Sequence, residues 1–376
     1  MRLLVYGGIG GSGGYARYCK GLFVTGNVPN DLGIYFVCTE DFYEKIRPLD
    51  NSVKVIIHPW PASGSLVKRH LWHLLIFPGI AHKIRPDIEF YPSGHSRSYM
   101  RKARVVTACH NLLLFDRRQF EKYRGTSKYR LLDTYRKNMS NSLLRSAGVI
   151  FTSDYSRKLV TGVLPGIKSS AVIPQGMSCG FYGLPERSYK IGKRIVVLYV
   201  SAISLYKNHA GVIRAVKALR ESTGLNIVLR CVGPSDEVES KYFANILASE
   251  RASGYVEVSG EMDHDDLLLE YKNADIFIFA SSCEAFGVSL LEAMAARLPI
   301  ACSNRSGLPD LLGDTGAYFD QDEPLSIKEA LLRLIISEEA RRISGEGAYR
   351  QSLRYTWNVS AKETFDFIRK IHERRD

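Results

Sequence analysis

The chain is short of the features that mark a membrane-spanning or secreted protein. Nowhere do about 18 apolar residues run together, so no spanning helix is expected. The opening Met1-Arg2-Leu3-Leu4-Val5-Tyr6 lacks the apolar stretch and small-residue cleavage site of a signal peptide and reads as a first β-strand. Cysteine is scattered rather than patterned: the seven residues at 19, 38, 109, 179, 231, 283 and 302 are odd in number and contain no C-x-x-C pair. Reduced, buried thiols are therefore expected, with no zinc site and a cytoplasmic setting. There is also no internal repeat and no low-complexity segment.

What is present fits a soluble globular chain of 376 residues, 45% hydrophobic and 24% charged, long enough for two domains with a core each. The net charge of +12 is uneven. Residues 97–137 hold twelve Lys or Arg against the acids Asp116, Glu121 and Asp133, a local balance of +9. Such a run is either a solvated helical face or a docking patch for phosphate groups or an anionic membrane surface. It lacks a recognisable nucleic-acid reading module, so nucleic acid is not an expected partner.

Short β-branched segments alternate with helical ones: Arg2–Tyr6, Gly33–Cys38, Val53–Ile57, Ile88–Tyr91, Val105–Cys109, Gly148–Thr152 and Ala171–Ile173 read as strands. Leu66–Lys83 and Lys128–Arg145 read as helices. The stretch from Gly176 to Lys193 is rich in Gly, Pro and Ser and reads as a linker. Alternation then restarts with Arg194–Val200, Asn226–Val232, Tyr255–Val258, Asp275–Phe279 and Pro299–Cys302. The expected fold is α/β, two Rossmann-like doubly wound domains facing an interdomain cleft, with ligands outside the carboxyl ends of the strands. The boundaries expected are 1–180, 181–357 and a final helical segment over 358–376.

Four motifs could carry chemistry. Gly7-Gly8-Ile9-Gly10-Gly11-Ser12-Gly13-Gly14 follows a strand and opens a helix; residues 8–13 match G-x-G-x-x-G, and such a loop lets backbone and helix N–H groups approach an anion. With Glu40 after the second strand, it admits an NAD(P)-dependent oxidoreductase as an alternative. His110 ends a strand, where α/β proteins place active groups, although a lone His is more often structural. Lys207-Asn208 follows the first strand of the second half, where a fixed ammonium would stabilise a departing diphosphate. Glu284-Ala285-Phe286-Gly287-Val288-Ser289-Leu290-Leu291-Glu292 brackets a strand-to-helix turn with two carboxylates. The Val288 and Ser289 N–H groups there suit a phosphate, and an acid on so apolar a helix needs a partner.

On these residues the chain resembles the retaining GT-B glycosyltransferases of family four, a large group of bacterial sugar transferases. Glu284 and Glu292 match the family's E-x7-E signature, and Gly10, Gly11, Gly13 and Gly14 its glycine loop. His110-Asn111, Ser153, Pro174-Gln175-Gly176, Lys207-Asn208, Gly233-Pro234 and Gly260 match further elements, so the resemblance covers nearly the whole chain. It implies that Glu284 contacts the donor sugar and Glu292 the ribose. Lys207 with the Gly287-Val288-Ser289 turn would bind diphosphate, His110 would lie near the reacting carbon, and the base would rest near Gly260 and Met262. It further implies a UDP- or GDP-linked sugar donor and a lipid-linked or saccharide acceptor, of which a polyprenyl-diphosphate-linked sugar is one form. Surface polysaccharide synthesis such as O-antigen assembly is implied too, as are action at the inner face of the membrane and no cofactor or metal. The D-x-D matches Asp263-His264-Asp265 and Asp320-Gln321-Asp322 read as incidental, the first as a helix N-cap. Where many members carry Gly-Arg, this chain has Ser201-Ala202, so the usual diphosphate arginine is missing. A non-enzymatic sugar-nucleotide binder or an epimerase of the same fold would share these motifs.

Overall fold

A computed structural model describes residues 1–8, 13–24, 26–58, 72–96, 103–177 and 179–374. They form two units. The first comprises 1–115, 131–176 and 355–376, and the second 116–130 and 177–354.

The first unit is built on a seven-stranded sheet: β1 (Arg2–Gly8), β2 (Gly33–Thr39), β3 (Lys54–His58), β4 (Ile88–Tyr91), β5 (Arg104–Cys109), β6 (Gly148–Phe151) and β7 (Ser170–Val172). The order is β3-β2-β1-β4-β5-β6-β7 and every pairing is parallel. Alternate side chains of β1 serve two cores, as a sheet covered on both faces requires. Leu3 and Val5 join one with Phe36 and Phe42, while Leu4 and Tyr6 join the other with Val37 and Phe77.

The last helix, Trp357–Glu373, completes the first of these cores. Gly21 and Gly176 leave the space that the Trp357 indole and backbone occupy; a Cβ at either would collide with that residue. Arg104 donates to the carbonyl of Ile371 at 2.6 Å, satisfying part of the open helix end. Of the expected helix over 66–83, residues 66–71 lie outside the described residues. The rest is a wide turn over Trp72–Ile76 followed by the helix Phe77–Ile84, and Pro78, which has no N–H to donate, sits in the first turn of that helix.

The second unit has six parallel strands: β8 (Arg194–Val200), β9 (Asn226–Val232), β10 (Val256–Ser259), β11 (Ile276–Phe279), β12 (Ile300–Ser303) and β13 (Ala317–Phe319). Their order is β10-β9-β8-β11-β12-β13, the doubly wound arrangement whose switch point lies between β8 and β11. Strand β13, three residues long, has no counterpart in the sequence reading. The linker lies along this unit, where the Arg187 guanidinium donates to the carbonyls of Tyr271 and Ala274 at 2.6 and 2.5 Å.

The first half contributes Asp116–Arg130 to this second unit, which nothing in the sequence pattern announces. Asp116 caps the short helix Arg117–Glu121 by accepting the Gln119 N–H at 3.1 Å. Lys128 reaches Asp236 at 2.6 Å and Glu239 at 2.8 Å, and the Tyr123 hydroxyl donates to Glu239 at 2.9 Å. The basic run is therefore not one face. Residues 97–102 lie outside the described residues, 116–130 belong to the second unit, and Arg136 and Lys137 both pair with Asp133 at 2.5 and 2.9 Å. Cys19, Cys38, Cys109, Cys231, Cys283 and Cys302 are all free and buried. No helix among the described residues is long and apolar enough to cross a membrane.

Removing the indole at position 357 leaves a cavity between three elements of the first core. Trp357→Ala is expected to cost about 3–5 kcal/mol, read as a lowered urea midpoint with the slope preserved. A midpoint equal to wild type would show that the last helix adds nothing to that core.

Candidate active site

At the switch point of the second unit, Lys207 and Glu284 meet. Lys207 ends a single turn, Leu205–Lys207, after β8, and Asn208 reverses the chain in the left-handed region (φ 54°). Asn208 caps the helix His209–Thr223 by accepting the Gly211 N–H at 3.2 Å, and its amide donates to the Gln321 carbonyl at 2.6 Å. This fixes where the lysine side chain starts. The residue is only 8% exposed and its ammonium forms an ion pair with the Glu284 carboxylate. It also lies 5.2 Å from the Tyr206 ring centroid and 5.3 Å from that of Phe279, whose faces favour a cation.

Glu284 is set from the other side of the switch point. It follows β11, and its N–H donates to the Ser306 hydroxyl at 3.3 Å. The preceding Ser282 donates through both N–H and hydroxyl to the Tyr206 carbonyl, at 2.9 and 2.8 Å, tying the two loops together. Gly287 then turns the chain at φ 101°, against Leu308, into the helix Val288–Ala295. Only glycine adopts that angle without strain. Val288 and Ser289 are half-buried, and the first-turn N–H groups of a helix have no partner within it. Cys283, beside Glu284, is pushed well above the ordinary thiol range by burial, so it stays protonated and inert.

Glu292 lies just over one turn into the helix Val288–Ala295. It is 1% exposed, and the Tyr271 hydroxyl lies 2.8 Å from its carboxylate and 3.1 Å from the Ser289 carbonyl. The partner that an acid on this apolar helix needs is thus a tyrosine from the helix His264–Asn273, a contact between distant segments that no local spacing marks. Gly260 is exposed and Met262 half-buried in the loop between β10 and that helix. Gly233, after β9, donates its N–H to Ser259 and Gly260 carbonyls at 3.1 and 3.2 Å. A Cβ on Gly233 would strike the Ser201 carbonyl, so three loops converge there only because the residue is glycine.

His209 is a site neighbour that the sequence reading passed over. Its ring stacks on Tyr199 with centroids 4.5 Å apart, and its Nε2 lies 3.3 Å from the Ser201 hydroxyl. Burial, with the Lys207 charge adding to it, pushes the imidazole down to about 3. The Asp263 carboxylate accepts the Asp266 N–H at 2.9 Å as an N-cap, and Asp320 and Asp322 pair with Arg305 at 2.9 and 3.5 Å.

The remaining candidates lie in the first unit. His110 follows β5, and its Nδ1 is 3.3 Å from the Gln175 amide nitrogen. The Tyr18 ring meets it edge-on at 4.5 Å, and the buried Nε2 has no hydrogen-bond partner among the described residues. Loss of hydration pushes this imidazole down to about 4, with the Pro92 carbonyl acting the other way. Gly13 and Gly14 open the helix Gly13–Phe23, whereas Gly10 and Gly11 lie outside the described residues. Glu40 is exposed at the start of the helix Glu40–Ile46.

Residues 185–351 match the family model for glycosyl transferases group 1. The second unit therefore carries a glycosyl transferases group 1 domain, and the two Rossmann-like units have the GT-B fold of the glycosyltransferases they resemble in structure. The chain is 22% identical over 275 residues to the O-antigen chain mannosyltransferase B of Escherichia coli, covering 71% of this chain and 70% of that one. The next relatives match over 21% to 51% of their own length. Among solved structures, sucrose-phosphate synthase from Thermosynechococcus elongatus is similar at a TM-score of 0.77 and 16% identity, over 99% of both chains. HepE of Anabaena, solved with UDP and glucose, is similar at 0.71 and 15% identity, over 98% of this chain and 100% of that one. At these identities the structural likeness speaks for the fold.

Both buried histidines stay neutral in the folded chain while their unfolded counterparts protonate below about pH 6.5. The unfolded state then binds more protons, so stability falls as pH drops from about 6.5 towards about 4. Urea unfolding at pH 7 and pH 5 should show this loss, and His209→Phe should reduce it. An undiminished loss in His209→Phe would mean that His209 is not held neutral.

Proposed function

We propose that the chain transfers a hexose-type sugar from a nucleoside diphosphate donor, UDP- or GDP-linked, to a lipid-linked or saccharide acceptor in surface polysaccharide synthesis, with retention at the anomeric carbon. The observation that carries this reading is the Lys207–Glu284 pair at the switch point, beside the N-terminus of Val288–Ala295. As the bond from sugar to diphosphate breaks, negative charge grows on the leaving group. A fixed ammonium and the Val288 and Ser289 N–H groups stabilise it, without a metal ion or cofactor in this reading. Glu284, held by that same ammonium, is placed to accept hydrogen bonds from the donor sugar. Glu292 takes the ribose hydroxyls by sharing or displacing the Tyr271 hydroxyl, and the base rests on the loop of Gly260 and Met262.

His110 offers the donor sugar a neutral imidazole whose Nε2 has no hydrogen-bond partner among the described residues. The loop of Gly10, Gly11, Gly13 and Gly14 lets backbone approach the phosphates or the acceptor. The Escherichia coli relative, by its name an O-antigen chain mannosyltransferase, and HepE with its UDP and glucose support the donor and acceptor classes.

A peripheral position on the inner face of the membrane fits the helix Ser127–Arg145, where Leu131 and Tyr135 are 51% and 45% exposed among basic residues. Each basic residue near an anionic surface contributes about 1 kcal/mol. Co-sedimentation with liposomes should therefore rise with anionic lipid content; indifference to it would remove the membrane from the proposal.

The donor is tested by thermal shift against UDP, GDP, dTDP, CMP and NAD(H), each with and without magnesium. A rise in melting temperature with one nucleoside diphosphate, independent of magnesium, is expected. A rise with NAD(H) alone would replace this reading by the oxidoreductase. With the donor known, Lys207→Ala removes a charge-assisted contact of about 1.5–3 kcal/mol and should lower turnover roughly 10–100-fold. Turnover within about twofold of wild type would refute the role of Lys207.

A further inference from the structure

A diphosphate leaving group carries more negative charge than one lysine already paired with a glutamate can balance. The loop after β8 has no second cation, because Ala202 stands where an arginine would serve and Ser201 packs against Gly233. The second unit acquires further positive charge from elsewhere, namely from the segment Asp116–Arg130 that it takes from the first half of the chain.

This segment is anchored on both sides of the Lys207–Glu284 turn. On one side the Arg118 guanidinium pairs with Asp322 at 2.8 Å, and Arg305, which also reaches Asp322 at 3.5 Å, precedes the Ser306 that receives the Glu284 N–H. On the other side Tyr123 bonds Glu239 at 2.9 Å, and its hydroxyl faces the Leu205 N–H, two residues before Lys207. Lys122 lies between these anchors, directly after the helix Arg117–Glu121. The charges acting on it are Asp322, Arg118 and Asp116, and the Cys283 thiol next to Glu284 feels its ammonium. Arg118 and Arg305 are committed to carboxylates, whereas Lys122 has no ion pair among the described residues. We propose that Lys122 is the second cation for the donor's diphosphate, replacing the arginine that position 202 lacks.

The ammonium is desolvated enough to hold its proton less tightly than an ordinary lysine, although the residue as a whole is exposed at the surface. A cation that has lost part of its water without gaining a carboxylate is primed for an incoming anion. The assignment rests on the donor reading above.

Calorimetric titration separates the two. Wild type, Lys122→Ala, Lys122→Arg and Arg124→Ala are each titrated with UDP, GDP and the nucleosides uridine and guanosine, at two salt concentrations. For the diphosphate that wild type binds, Lys122→Ala should weaken binding about 10-fold and flatten its salt dependence, while the matching nucleoside binds as before. Lys122→Arg should restore most of the affinity. Arg124, which is exposed and paired with Glu121 at 2.6 Å, should be replaceable by Ala without effect. Tight diphosphate binding by wild type with unchanged affinity in Lys122→Ala overturns the role of Lys122 and leaves the donor reading standing. Equal weakening of diphosphate and nucleoside also overturns it, since that marks a structural role. Failure of wild type to bind either diphosphate overturns both.

Discussion

A lysine and a glutamate that arrive from opposite sides of a topological switch point hold the second unit's candidate site together. Pairing them costs the hydration of two charges, which a buried ion pair recovers only with good geometry and further contacts. The structure supplies these: two aromatic faces beside the ammonium, a serine under the Glu284 N–H, and a second serine tying the glutamate's loop to the lysine's. Neither side chain could be placed without the strand order, because β8 and β11 are neighbours only through a crossover. Three glycine or asparagine conformations then set the loops: Asn208 and Gly287 in the left-handed region, and Gly233 at φ 145° against the Ser201 carbonyl.

Charge in this protein is distributed by tertiary structure rather than by sequence blocks. The run at 97–137 looks like a single basic patch, yet much of it is used internally. Lys128 holds Asp236 and Glu239, Arg118 holds Asp322, and Arg136 and Lys137 share Asp133. Those of them that are exposed contribute little stability each. The pairs of Arg118 and Lys128 are positional, since they hold the 116–130 segment in the second unit.

Much of the site was legible one motif at a time. The capping geometry at Ser153, where the hydroxyls of Ser153 and Ser156 each accept the other residue's backbone N–H, and at Asp263 follows from local chemistry that a sequence displays. The strand-to-helix turn at Gly287 was readable for the same reason. What escaped was contact across distance. Tyr271 on Glu292, His209 on Ser201 and Gln175 on His110 each join residues whose pairing no periodicity encodes. Glu292 is the instructive case: the need for a partner was foreseeable from its apolar helix, and the partner's identity was not.

By itself the sequence determined the class of structure, two runs of β/α alternation broken by a Gly- and Pro-rich linker, because backbone period and turn chemistry are properties of neighbouring residues. It also offered the residues that are candidates for a donor site. Tertiary structure alone decided that Asp116–Arg130 joins the second unit, that the last helix closes the first core, and that Lys207 meets Glu284. Those outcomes depend on strand order and on packing between segments far apart in the chain, where free energy is set by shape and desolvation rather than by local preference.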